Sequence, residues 1–180
     1  SSPVIVYGQF NKISDKNFST QIIETKDINK KSYSHIQEIT HKISNLNYAQ
    51  GTSRPRYYQI RGLGELSQFS GEGAPHFYVG YSIDNIDFSG IGMLGNLFDI
   101  KQIEVFKGPQ STLFGQNSMG GIINLVTKNY SNEFSNAKVT LGSFNKKDIN
   151  LAMNSMNNNI SYTTLLQYKK GDGHRFNAQY

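Results

Sequence analysis

Residues 98–128 read FDIKQIEVFKGPQSTLFGQNSMGGIINLVTK, and this stretch decides the fold. Ile100, Ile103, Val105 and Phe106 belong to one strand, which Gly108-Pro109 must end. Proline cannot donate to a ladder, and it also restricts the residue before it. Ser111 to Gly115 reads as a short turn or helix. Gly120-Gly121 then leads into Ile122-Ile123-Asn124-Leu125-Val126-Thr127, a nearly unbroken apolar run. Such a run predicts a strand buried on both faces. Glu104 lies between Ile103 and Val105, so it faces away from both. Lys107 ends the same strand. A charge there must be exposed or paired.

Upstream, Ser19–Glu24 has the composition of a strand, and Thr25 is placed to open a single helical turn. A longer helix is expected from Ser34 to Ser44. Ser34 has Gln37 at capping-box spacing, and Ile36, Ile39 and Ile43 share one face. His35 and His41 are six apart and are read as solvent-exposed. Tyr57–Arg61 predicts a strand stopped by Gly62-Leu63-Gly64. Residues 71–75 read as a loop, Phe77–Ile83 as a strand, and Met93–Phe98 as one helical turn. Asp84-Asn85 marks a tight hairpin, with Asn tolerating the positive φ that glycine more often supplies.

From about residue 134 the period becomes two. Ala137, Val139 and Leu141 alternate with polar residues. So do Ile149, Leu151 and Met153, and then Ile160, Tyr162, Thr164, Leu166 and Tyr168. Polar turns at 143–147 and 157–159 separate them. Three such strands suit either the wall of a membrane barrel or an open antiparallel sheet.

Composition narrows the function classes. The 180 residues include no Cys and no Trp, but 11 Tyr, 11 Phe and 17 Gly. Without cysteine there is no disulfide scaffold, thiolate metal site or thiol nucleophile. No apolar run reaches the length of a transmembrane helix. The net charge of +5 comes from scattered Lys and Arg. Nucleic acid would need those cations clustered on one face, so no nucleic-acid partner is expected. The chain opens at Ser1 with no signal-like segment, which reads as an end set by processing or cloning. Phosphate-cradling glycine loops fail for want of a following Lys-Ser/Thr or a βαβ setting. No nucleophile elbow or His-Glu-x-x-His is present; Asp84 and Asp87 flank a turn, where Asp is common. No catalytic residue, metal site or cofactor is assigned.

The run 98–128 resembles the signature of the plug domain of TonB-dependent outer-membrane receptors. Ile60-Arg61-Gly62-Leu63-Gly64 is similar to that family's upstream Arg-Gly element. Ile83-Asp84-Asn85-Ile86 is similar to its strand-turn element, with Asn85 in place of the usual Gly. The helix at 34–44 resembles the family's, though Ser44-Asn45 lacks the customary Pro. The resemblance implies an α+β fold: a small mixed-sheet plug with short helices over 1–130, then at 131–180 the antiparallel opening strands of an incomplete barrel. In such receptors the plug sits inside a 22-stranded barrel in the outer membrane of a Gram-negative bacterium. The barrel binds a scarce solute, often a siderophore-like or cobalamin-like ligand, and an inner-membrane complex acts on the plug through TonB.

By position, Pro3, Val4, Ile5 and Val6 resemble the TonB box, which pairs as an added strand, although the acidic residue that often precedes such a box is missing. Arg61, Glu104 and Lys107 match positions whose charges contact the barrel wall. The residues after 130 are too few for 22 strands, so a truncated receptor is expected. Two other readings remain at this point. One is a free-standing β-rich surface binding or adhesion domain. The other is a hydrolase whose site would need His76, Asp84 and Asp87 to converge.

Overall fold

The computed structural model describes residues 19–29, 33, 35–49, 57–64, 77–89, 97–109, 118–130, 132–157 and 160–172. The expected features at Pro3–Val6, Ser34, 71–75, His76 and 111–115, and nearly all of the turn at 93–98, lie outside those residues. The chain divides into two compact units, Ser1–Thr127 and Lys128–Tyr180.

The first unit is built on a five-stranded sheet ordered β1-β6-β7-β4-β5. Its strands are β1 (Ser19–Glu24), β4 (Val79–Ile83), β5 (Ile86–Asp87), β6 (Ile100–Lys107) and β7 (Gly121–Thr127). β4 runs parallel to β7; the other neighbours are antiparallel. β7 is therefore an inner strand, which is why its residues read as a continuous apolar run. β2 (Leu46–Ala49) and β3 (Tyr57–Ile60) form a separate antiparallel pair.

One face of the sheet carries Ile23, Ile103, Val105, Ile123, Leu125, Val79 and Tyr81, all buried in a core shared with Ile36, Ile39, Ile43, Tyr58 and Ile60. Tyr58 stacks on Tyr81 with ring centroids 6.4 Å apart.

Two helical expectations are corrected. α1 covers Thr25–Asn29. However, the Thr25 hydroxyl does not cap it: it donates to the Ile100 carbonyl at 3.0 Å and to that of Lys101, pinning α1 to the start of β6. The segment expected as an α-helix at 34–44 is a 3₁₀ helix, Ile36–Lys42, capped by His35. His35 Nδ1 accepts from Gln37 N at 3.1 Å, so the imidazole is buried at the cap and not in solvent. His41 is exposed, as expected. A repeat of three residues aligns Ile36 with Ile39 as well as an α-helix would, and both are wholly buried.

The Asp84-Asn85 hairpin forms as read. Both residues have positive φ, 49° and 66°, the geometry of a type I′ turn.

The second unit is an antiparallel sheet ordered β10-β9-β8, made of β8 (Phe134–Gly142), β9 (Lys146–Asn157) and β10 (Ile160–Lys170). A tight turn joins β8 to β9, with positive φ at Phe144 and Asn145 and Lys146 N donating to the Ser143 carbonyl at 3.3 Å. Register sorts the side chains into two faces. One holds the cross-strand rows Val139-Ile149-Tyr168, Ala137-Leu151-Leu166 and Ser135-Met153-Thr164. The other holds Thr140-Asp148-Lys169, Lys138-Asn150-Gln167 and Phe134-Asn154-Thr163.

Candidate functional site

The face of the five-stranded sheet opposite the core is polar at its centre. Glu104 pairs with Asn124 across β6 and β7, and Asn124 pairs with Ser82 across β7 and β4. The three side chains therefore form one row. Glu104, Asn124 and Ser82 are at most 1 % exposed, and Gln102 is 4 % exposed. Gln102 Nε2 donates to Glu104 Oε1 at 2.7 Å. Asn124 Nδ2 donates to Glu104 Oε2 at 3.0 Å. On its other side Asn124 Oδ1 accepts from Ser82 Oγ at 2.7 Å and from Asn85 N at 3.2 Å. A carboxylate and three uncharged polar side chains are thus linked into one buried chain that ends in the β4–β5 turn. The turn is held from its other side by Asp84, whose carboxylate accepts from Thr127 N at 2.9 Å and Thr127 Oγ1 at 2.7 Å.

Glu104 faces away from Ile103 and Val105, as its place in the strand requires, but it does not lie on an open surface. The sequence reading singled out Glu104 and missed Gln102, Asn124 and Ser82. The available signals were Gln102 two residues before Glu104, and Asn124 as the one amide in an apolar run.

Lys107 points to the other face, at the end of β6. Its Nζ donates to Ser44 Oγ at 2.6 Å and to Gln21 Oε1 at 3.0 Å. Gln21 is held in turn by Lys42 and Ser44: its Nε2 donates to the Lys42 carbonyl at 2.7 Å, and Ser44 N donates to its Oε1 at 3.2 Å. Burial, and then the nearby Arg61 guanidinium, lower the Lys107 ammonium pKa below the ordinary lysine value. Arg61 has a left-handed backbone, φ 54°, and its N–H donates to the Asn45 carbonyl at 3.0 Å. Of the three charges read together, Arg61 and Lys107 are brought near each other, while Glu104 lies on the opposite sheet face. Asp84 and Asp87 are engaged separately: Asp87 Oδ1 accepts from Ser89 N at 2.8 Å.

The second unit has the opposite arrangement to a water-soluble sheet. Asp148, Asn150, Ala152 and Asn154 are buried, while Ile149, Leu151 and Met153, which alternate with them, are exposed. The buried polar side chains of β9 bond one another and exposed polar side chains of β10. Asn150 Nδ2 donates to Asp148 Oδ1 at 2.9 Å, and Gln167 Nε2 donates to Asn150 Oδ1. Ser161 and Thr163 both donate to Asn154 Oδ1 at 2.9 Å. Val139, Leu141, Tyr162, Leu166 and Tyr168 extend the exposed apolar face, each more than half exposed. The eight residues from Asp148 to Ser155 rise about 3.4 Å each; tilted by roughly 40°, they cross about 20 Å, close to the apolar band of an outer-membrane barrel.

Known proteins match parts of this chain. Residues 12–122 match the family described as TonB-dependent Receptor Plug Domain. The Iron-regulated outer membrane virulence protein of Vibrio cholerae is 43% identical over 53 residues, 28% of this chain and 8% of that protein. The Pesticin receptor of Yersinia pestis is 37% identical over 46 residues, 26% of this chain and 7% of that protein. The solved structure of the ferric yersiniabactin uptake receptor FyuA from Yersinia pestis superposes with TM-score 0.68 at 18% identity, covering 87% of this chain and 24% of that one. The matched regions are thus a small part of each relative. The mixed five-stranded sheet, the short helices and the antiparallel strands that follow are the fold these structures share, and the chain belongs to the TonB-dependent receptor plug domain family.

Proposed function

We propose that this chain is the plug and the opening barrel strands of a receptor in the outer membrane of a Gram-negative bacterium, which imports a ferric siderophore with energy delivered through TonB. The observation that carries the reading is the plug fold followed in sequence by alternating strands whose apolar face is exposed, with the polar side chains of their central strand, β9, buried. A free-standing surface domain would be expected to bury that apolar face. Iron is favoured over cobalamin because one relative is named as iron-regulated and the superposed structure is of a ferric siderophore receptor. The receptor reading assigns the chain a gating role and no catalysis.

Arg61 and Lys107 are the residues proposed to meet the barrel wall. Among the described residues Lys107 donates to the neutral oxygens of Ser44 and Gln21, and Arg61 adds a second positive charge beside it. A wall carboxylate would offset both, and a partly hydrated ion pair holds a plug while letting it be released. Glu104 is proposed to support that seating through the Asn124 row. Pro3, Val4, Ile5 and Val6 are proposed as the TonB-binding strand.

The test is uptake of radiolabelled ferric siderophore by cells that carry the receptor containing this chain. Uptake should require both the receptor and TonB. Val4→Pro or Ile5→Pro should abolish it while binding to cells persists. Uptake indifferent to loss of TonB would refute the reading, and normal uptake by both proline variants would remove the box from this position. Glu104→Ala should speed amide exchange in residues 100–107.

A further inference from the structure

The apolar face of β8–β10 ends abruptly at one edge. Beyond the row Val139-Ile149-Tyr168, the next row on the same face is Leu141-Lys147-Lys170. Lys147 and Lys170 are thus directly opposite each other on neighbouring strands, and both are exposed. Like charges in that relation repel. Lys169, one residue away, points to the other face, where its Nζ lies 4.0 Å from Asp148 Oδ2. Asp148 is therefore turned away from Lys147 and Lys170. Asp172 is the other acid at this end, and its N–H donates to the Phe144 carbonyl at 2.7 Å. With Lys146 included, the edge carries four lysines against two aspartates. The opposite ends of the same strands, residues 134–136, 154–157 and 160–163, carry no charged residue, and beside them the carboxylate of Glu133 accepts from Met156 N at 3.2 Å, so that end has no cation.

We propose that Lys147 and Lys170 bind the phosphate headgroup of a membrane lipid, whose acyl chains lie along Leu141, Val139, Ile149 and Tyr168. This rests on reading β8–β10 as barrel wall. The charge asymmetry argues for it: a headgroup anion relieves the repulsion between two facing ammonium groups, and the apolar row directly beneath supplies the surface for the chains. A soluble anion would gain nothing from that row, so the occupant is a lipid and not free phosphate.

The receptor carrying this chain, in dodecylmaltoside micelles, is titrated with dioleoylphosphatidylglycerol or dioleoylphosphatidylcholine, and bound lipid is counted by native mass spectrometry. The anionic lipid should bind about tenfold more tightly, from two lysines each contributing an attraction to the headgroup. The preference should vanish in Lys147→Gln/Lys170→Gln, return in Lys147→Arg/Lys170→Arg, and persist in Lys138→Gln, which alters the other face. Equal binding of the two lipids, an unchanged preference in the double glutamine variant, or displacement by excess inorganic phosphate would each overturn the proposal. Urea washing of outer-membrane fractions is read in parallel. Release of the protein would refute the barrel reading and this proposal with it. Retention without headgroup preference would refute this proposal alone.

Discussion

Asn124 joins Glu104 to the β4–β5 turn: its amide donates to the carboxylate at 3.0 Å while its carbonyl oxygen accepts from Ser82 and from the backbone of Asn85. No apolar or acidic side chain can do both. Asn124→Leu removes the donor to Glu104 and the acceptor of two further groups, and should cost about 2–4 kcal/mol at neutral pH. Asn124→Asp keeps the acceptor but sets a second carboxylate against Glu104. It should be comparably destabilised at neutral pH and recover as acid protonates one of the pair. Urea unfolding followed by near-ultraviolet circular dichroism at two pH values distinguishes the variants, since Asn124→Leu should show no such recovery.

Gly121 and Gly108 both have left-handed φ, 140° and 123°, but differ in the space around them. A Cβ on Gly121 would clash with the Phe106 carbonyl oxygen and lie 2.8 Å from Ile60 Cδ1, whereas one on Gly108 would meet nothing within 4 Å. Gly108→Ala should therefore cost only backbone strain, about 1–2 kcal/mol. Gly121→Ala adds a backbone clash where β7 starts beside the end of β6 and should cost about 3 kcal/mol or more, with accelerated amide exchange in β6 and β7. Equal losses from the two alanines would contradict the packing argument.

What the sequence disclosed was local. The apolar run 122–127, the positive-φ pair Asp84-Asn85 and the alternation from 137 to 168 each depend on near neighbours, and each formed as read. What it withheld depends on register. Asn124 reads as a polar interruption until β6 is laid beside β7, which sets it against a glutamate 20 residues earlier. Arg61 and Lys107 are separated by 46 residues and meet only when the end of β3 approaches the end of β6. The 3₁₀ segment was hidden for a different reason: Ile36 and Ile39 are three apart, a spacing that fits 3.0 and 3.6 residues per turn alike. What distinguishes them is backbone bonding three residues apart, as from Glu38 N to the His35 carbonyl and from Ile43 N to the Thr40 carbonyl, and the cap uses a histidine ring, a less common acceptor than Ser or Asp.

Asp84 closes the β4–β5 turn onto the end of β7 through two bonds to Thr127. Asp84→Ala loses both acceptors and places a residue with no local polar support at φ 49°, so it should cost about 2 kcal/mol. Asp84→Asn tolerates the φ and retains one acceptor, and its cost should be about half as large. The expected order is wild type, then asparagine, then alanine in denaturant midpoint. Equal midpoints for the two variants, or their reversal, would show that bonding to Thr127 does not hold the turn.

The alkaline response should have two opposing limbs. Lys107 has a folded pKa below its unfolded value, because burial and Arg61 disfavour the ammonium. Between those two values the unfolded chain holds more protons, so stability rises with pH up to about the unfolded lysine pKa. Tyr81 is shifted the other way: burial, and then Tyr58, raise its phenol well above the normal tyrosine range. Above about pH 10 the unfolded chain sheds that proton first, and stability then falls. Lys107→Met should abolish the rising limb and leave the fall, whereas Tyr81→Phe should blunt the fall and leave the rise. Arg61→Gln should shift the rising limb to higher pH, because one of the two causes of the depressed lysine pKa is gone. If Arg61→Gln left the rising limb unchanged, burial alone would set the lysine, and the proximity of the two cations would have no energetic consequence.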